Sequence, residues 1–198
     1  MNERAVIENP NDICARGRLI ASIRTDPVDR KSQAVNPARV DHLVWMIQHH
    51  PEWDGFSLEP NWSLAEPRSL QERGIDITKR LKEHWLKQVG PEQNGAMVLH
   101  NAAMFFAIRE PEFAASLLKR AITLDPVEPL YVERLGLVYW YAKQPAESFA
   151  QYGVVNSAER DAFAQRARAV LSTNEQFRPS GPSAVWSERF RNNTCRVH

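Results

Sequence analysis

The stretch Ala96–Pro126, AMVLHNAAMFFAIREPEFAASLLKRAITLDP, decides how this chain is read. Two apolar runs, AMVLHNAAMFFAI and EFAASLLKRAITL, are separated by a break that carries Pro111 and closed by Pro126. Proline lacks the N–H that a helix interior needs, so each marks a helix boundary. Ala114, Leu118 and Ala121 fall at i, i+4 and i+7, on one face of a helix. On the preceding run Ala102 and Phe105 are three apart. The second run could be an ordinary amphipathic helix that stops at a proline. It could also be the closing half of a repeated helical hairpin. The flanking sequence chooses between them.

Outward from this stretch the pattern recurs. Pro91 and Pro126 lie 35 residues apart, and each follows a helical run. In the next run, LYVERLGLVYWYA, Gly136 stands 34 residues after Ala102, and Tyr139 stands 34 after Phe105. Upstream, DITKRLKEHWLKQVGP sets Ile77, Leu81, Trp85 and Val89 on one stripe, with Gly90 and Pro91 ending the helix. ARVDHLVWMIQHHPE spaces Val40, Leu43, Val44 and Ile47 by three and four up to Pro51. NPNDICARGRLIASI has Asp12 placed as an N-cap. Pro145 starts a short helix, AESFAQY, and AERDAFAQRARAVL carries Phe163, Ala167, Val170 and Leu171 on one side. No alternating stretch long enough for a useful strand is present, so the class is all-α. Residues 51–74 break the pattern with Pro51, Pro60 and Pro67 among Trp53, Phe56 and Trp62. Linkers are poor in aromatics, so this segment is expected to be an ordered loop packed on a neighbouring helix.

The spacing resembles the tetratricopeptide repeat. Val98, Asn101, Ala102, Phe105, Ala114, Leu118, Ala121 and Pro126 match one repeat, and Val132, Leu135, Gly136 and Tyr139 match the first helix of the next. The match covers 95–142. It is degenerate over 10–51, and the register is lost after Ala142. The resemblance implies stacked antiparallel helical hairpins, an α-solenoid of about three degenerate repeats, since such units bury their apolar faces only against neighbours. It also implies a non-catalytic scaffold that binds a protein or peptide with an apolar or helical segment. The first helix of each hairpin would line the groove. Those positions are Leu99, Ala103 and Phe106, flanked by Ala96 and Ala107, and then Glu133, Leu137, Trp140 and Tyr141, preceded by Leu130. Members that clamp a terminal carboxylate present Lys, Asn and Arg there. This lining is apolar and aromatic with one acid, and His100 and Arg134 only partly substitute. The chain's own later helices could instead cover the surface.

Other chemistries find little in the residues. The formal net charge of +1 gives no overall field toward nucleic acid or an anionic membrane. Residues 158–198 carry seven arginines against four acids, with Trp186 and Phe190 between them; a nucleic-acid role is the alternative they motivate. The chain has six histidines, which motivate a metal-dependent or other enzyme on a helical bundle. His42 and His49 are two helical turns, roughly 10 Å, apart and cannot share one metal directly. No HExxH, GxSxG or phosphate-binding glycine loop appears, so no catalytic residue, metal ligand or cofactor is assigned. Cys14 and Cys195 form no CxxC pair or disulfide framework, which suits a reducing compartment. No apolar run approaches the roughly 20 residues of a membrane span. A cytoplasmic protein is expected, with one helical domain over 1–172 and a C-terminal tail over 173–198 that is partly flexible or docked.

Overall fold

Caps, prolines and apolar stripes place helices where the sequence suggests. The computed structural model describes residues 2–24, 37–58, 77–90, 95–152, 154–173 and 177. In chain order these form α1 (Asn2–Glu8), α2 (Ile13–Arg24), α3 (Pro37–His49), α4 (Gly55–Leu58), α5 (Ile77–Val89), α6 (Ala96–Phe106), α7 (Pro111–Leu124), α8 (Pro129–Lys143), a 3₁₀ turn (Ala146–Tyr152) and α9 (Ala158–Thr173). No strand occurs among the described residues. The chain is all-α. Where one domain is expected over 1–172, the described residues divide into two compact units. One holds α1, α2, α3 and α5 as far as Gln88. The other holds α4 and α6–α9. The division is discontinuous in sequence, because α4 follows α3 along the chain yet belongs with α6. Periodicity within single helices cannot reveal that.

In the first unit, Asp12 caps α2 by accepting the Ala15 N–H at 2.8 Å, which satisfies one of the donors a helix start leaves open. Val6 on α1 packs against Ala15 and Leu19. Helix α1 was not expected from the sequence, since seven residues carry too few apolar positions to show a period. Helix α2 in turn packs on α3, which buries Val40, Leu43, Val44 and Ile47. Leu81 and Trp85 of the α5 stripe are equally enclosed. The Arg80–Asp41 ion pair at 2.8 Å is half exposed on both sides, so it contributes little. Cys14 is disulfide-bonded. The expectation of no disulfide framework therefore does not hold, and Cys14 no longer argues for a reducing compartment. Pairing is settled in space, and nothing in the local sequence announces it.

In the second unit each helix packs on its successor: α6 on α7, α7 on α8, α8 on α9, with α9 also reaching α7. The four-residue connection from α6 to α7 leaves only an antiparallel path for two packed neighbours. Pro111 and Pro129 occupy the first turns of α7 and α8, where a missing N–H costs nothing. The Glu128 carboxylate caps α8 by accepting the Leu130 N–H at 3.0 Å. Ala102, Ala114 and Ala121 are completely buried, as small residues at a helix crossing should be. Arg160 on α9 donates to the Ile108 carbonyl at 2.9 Å, and Arg166 reaches Glu112 at 2.7 Å. These two contacts tie α9 to both ends of the turn that opens α7.

Gly136 shows how tight this packing is. A Cβ there would lie 2.7 Å from the Phe177 carbonyl oxygen and 3.1 Å from its Cα. The Phe177 ring meets Tyr139 edge-on at 5.8 Å, and Phe163 of α9 lies 5.9 Å from the same tyrosine. The backbone of residue 177 therefore occupies the space that a side chain at 136 would need. Replacing a helical glycine with alanine ordinarily stabilises by up to about 1 kcal/mol. Gly136→Ala is expected to do the reverse, lowering stability by about 1–3 kcal/mol through overpacking. Urea denaturation of the two proteins checks the sign.

Candidate functional site

The surface singled out by the sequence lies on α6 and α8, and the two helices differ sharply. Every residue from Val98 to Ile108 is buried. Leu99 and Ala103 have no exposure, Phe106 has 1%, and Ala107 has none. Phe106 is held edge-on between Phe105 at 5.0 Å and Phe113 of α7 at 4.9 Å. Helix α4 packs on α6 as well. Asn101 donates its Nδ2 hydrogen to the Trp53 carbonyl at 2.9 Å. The Trp53 ring meets Phe56 edge-on at 5.3 Å and lies so close over Gly55 that no Cβ fits there. The aromatic segment after Pro51 is thus an ordered cover on a neighbouring helix over 53–56, while Trp62 lies outside the described residues. Leu99, Ala103 and Phe106 are corrected accordingly: they are core side chains rather than a lining open to a partner. The signal was present. A helix with no polar face is a buried helix, and AMVLHNAAMFFAI has only His100 and Asn101 as polar positions, both of which turn out to be enclosed.

Helix α8 is less enclosed. Glu133, Leu137 and Tyr141 are half-buried, and Trp140 is 37% exposed. These four stand at i, i+4, i+7 and i+8, one stripe of the helix. Trp140 and Tyr141 meet edge-on at 5.5 Å, and Tyr141 meets Phe149 of the 3₁₀ turn at 5.9 Å. The candidate site therefore contracts from two helices to the outer stripe of one.

Beneath it lies a polar group that the sequence did not single out as a unit. His100 is completely buried, and its ring lies 5.6 Å from that of Tyr131 on α8. Neither ring nitrogen has a hydrogen-bond partner. Arg134 on α8 is buried beside it. Burial pushes the His100 pKa down to about 3, and the Arg134 charge adds to the push. The Asn101 amide weakly opposes both, without reaching hydrogen-bond geometry to the ring. His100 is neutral at physiological pH and packs as an aromatic side chain. Burial, reinforced by Asp125 and Glu128, likewise raises the pKa of the Tyr131 hydroxyl.

The alternatives can be placed on the same map. Among the described residues, no group of three His, Cys, Asp or Glu side chains could hold a metal ion. His42 contacts Arg16, and His49 and His50 flank Trp45. Of the C-terminal arginines, Arg160 points inward to a carbonyl and Arg166 is paired with Glu112. Arg168 is exposed, and Arg178, Arg189, Arg191 and Arg196 lie outside the described residues, as do Trp186 and Phe190. No described helix is long and apolar enough to cross a membrane.

Two expectations follow. Phe106→Ala removes an enclosed ring and should cost about 3–5 kcal/mol. Trp140→Ala should cost about 1 kcal/mol or less, a contrast that thermal or urea unfolding resolves. His100 makes the fold acid-sensitive in a definite direction. Its folded pKa lies below its unfolded value, so its contribution is whole above about pH 6.5. That contribution is lost as pH falls toward 3, because the unfolded chain takes up a proton the native state refuses, at about 1.4 kcal/mol per pH unit. His100→Gln should flatten the decline in urea midpoint between pH 6.5 and 4 by close to one proton. No family model, curated protein or solved structure matches this chain, so the reading of the α8 stripe rests on the chain's own residues and geometry.

Proposed function

We propose that this chain is a non-catalytic scaffold of the tetratricopeptide-like type, which binds a protein or peptide through an apolar or helical segment. The observation that carries the reading is the coincidence of spacing and burial in α6–α8. The residues at the repeat's small positions, Ala102, Ala114 and Ala121, are completely buried, and Gly136 faces a backbone at a distance that excludes any side chain. A stack built on such close crossings commits its small residues to packing and leaves recognition to the outer faces of its helices.

The binding surface in this proposal is the α8 stripe of Glu133, Leu137, Trp140 and Tyr141. Leu99, Ala103 and Phe106 support it from within. Tryptophan and tyrosine offer large apolar area with a polar tip and lose little conformational freedom on binding, which is why they anchor interfaces. A single acid at the edge of an apolar stripe suits the apolar face of an amphipathic helix that carries a basic residue at its margin.

The test is affinity capture from native lysate with the full chain, compared with Trp140→Ala and with Leu137→Ala. Specific partners should be retained by the wild type and lost or reduced tenfold or more by either variant, with circular dichroism and melting nearly unchanged. Equal capture by all three proteins removes the α8 stripe as the binding surface.

A further inference from the structure

Helix α8 carries its charges in a definite order. Asp125, Glu128 and Glu133 stand where the helix begins, and Lys143 stands where it ends. Arg168 of α9 is exposed, and its guanidinium lies 3.5 Å from the Lys143 carbonyl, so a second cation belongs to that end. Arg134, the other cation of α8, is buried. Glu147, the next acid along the chain, is on the 3₁₀ turn beyond Pro145. Acids at a helix start and bases at its end follow the helix dipole. The same order makes the face complementary to its own reverse.

The apolar residues share that symmetry. Glu133 and Lys143 each stand five residues from position 138, and Leu137 and Trp140 straddle it. At 1.5 Å per residue, the two charges lie about 7–8 Å on either side of the midpoint. Glu133, Leu137 and Lys143 are half-buried, and the Trp140 ring is partly exposed.

We propose that α8 pairs with α8 of a second copy of this chain, antiparallel about a two-fold axis at residue 138. Leu137 and Trp140 of both copies meet at the centre, and Glu133 of each faces Lys143 of the other at the two ends. Such an interface is isologous, so one patch serves both copies and every contact occurs twice. A parallel pairing would set Glu133 against Glu133 and Lys143 against Lys143, which charge repulsion disfavours.

This rests on the α8 stripe being a recognition surface, as in the proposed function, and names a second copy as an occupant that a partner segment must displace. One stripe of a 15-residue helix runs for about 22 Å. Contact along it alone falls below the roughly 1,200 Å² at which stable interfaces begin. The pairing is therefore weak, with a Kd on the order of 10 µM.

Sedimentation velocity on the full-length chain, from about 1 to 200 µM, tests this. The wild type should pass from monomer to dimer across that range. Glu133→Lys and Lys143→Glu each place like charges together at both ends of the pair, and each should weaken dimerisation about tenfold. Trp140→Ala removes the central ring and should weaken it at least as much. Mixed in equal amounts, the two charge variants should form a heterodimer as strong as the wild-type dimer, because every end again joins an acid to a base. Circular dichroism checks that each variant keeps the wild-type helicity. Should a charge variant lose it, Trp140→Ala decides instead, and a dimer that this variant does not weaken rejects α8 as the interface. A wild type that stays monomeric throughout, charge variants that dimerise like the wild type, or a mixture no stronger than its components overturns the proposal. Partner capture is read separately. Capture that is lost in Trp140→Ala while the wild type remains monomeric rejects the second copy and leaves the partner-binding reading standing.

Discussion

The second unit depends on how closely its helices can approach one another. Ala102, Ala114 and Ala121 are without exposure, and Gly136 has a backbone carbonyl where its Cβ would be. Dispersion forces fall steeply with separation, so helices that meet at small residues gain contact along their whole length. The larger side chains then fill the space on either side of each crossing. Phe106 between Phe105 and Phe113, and Tyr139 between Phe163 and Phe177, are the clearest examples. The Trp53–Phe56 segment is a third, closing over α6 from outside the hairpins.

A second theme is that the buried charged side chains among the described residues are arginines. Arg16, Arg134 and Arg160 are each less than 9% exposed. Arg16 and Arg160 are satisfied by main-chain carbonyls and aromatic faces: Pro10 and Trp45 for one, Ile108 and Phe149 for the other. A planar, weakly hydrated guanidinium tolerates such surroundings better than an ammonium would. Carbonyl and ring partners hold its position without neutralising it. The Arg134 charge reaches His100, which burial already pushes down to about 3, so His100 stays neutral near pH 7.

Much of the helical layout was legible. Asp12 as the cap of α2, Pro51 after α3, the Leu81–Trp85–Val89 stripe and the Pro145 start are all local signals, and the structure places them as read. For the candidate site, the sequence placed the residues on their helices but not their exposure: Glu133, Leu137, Trp140 and Tyr141 are partly exposed, whereas Leu99, Ala103 and Phe106 are enclosed. Spacing assigns a residue to a helix face, but whether that face meets solvent or another segment depends on contacts between residues far apart in the chain. Asn101 and Trp53 are 48 positions apart, and Gly136 and Phe177 are 41 apart.

By itself the sequence determined that the chain is helical, where most helices start and stop, and which residues are small enough for close crossings. Those properties follow from backbone chemistry and from the 3.6-residue period, both of which act within a few positions. Only the tertiary structure decided that the described chain forms two units, that α6 is enclosed while α8 leaves Trp140 partly exposed, that Cys14 is disulfide-bonded, and that three histidines gather round Arg16 and Trp45. Those outcomes depend on which surfaces meet. The meeting is governed by burial and desolvation summed over residues remote in sequence, which no local pattern encodes.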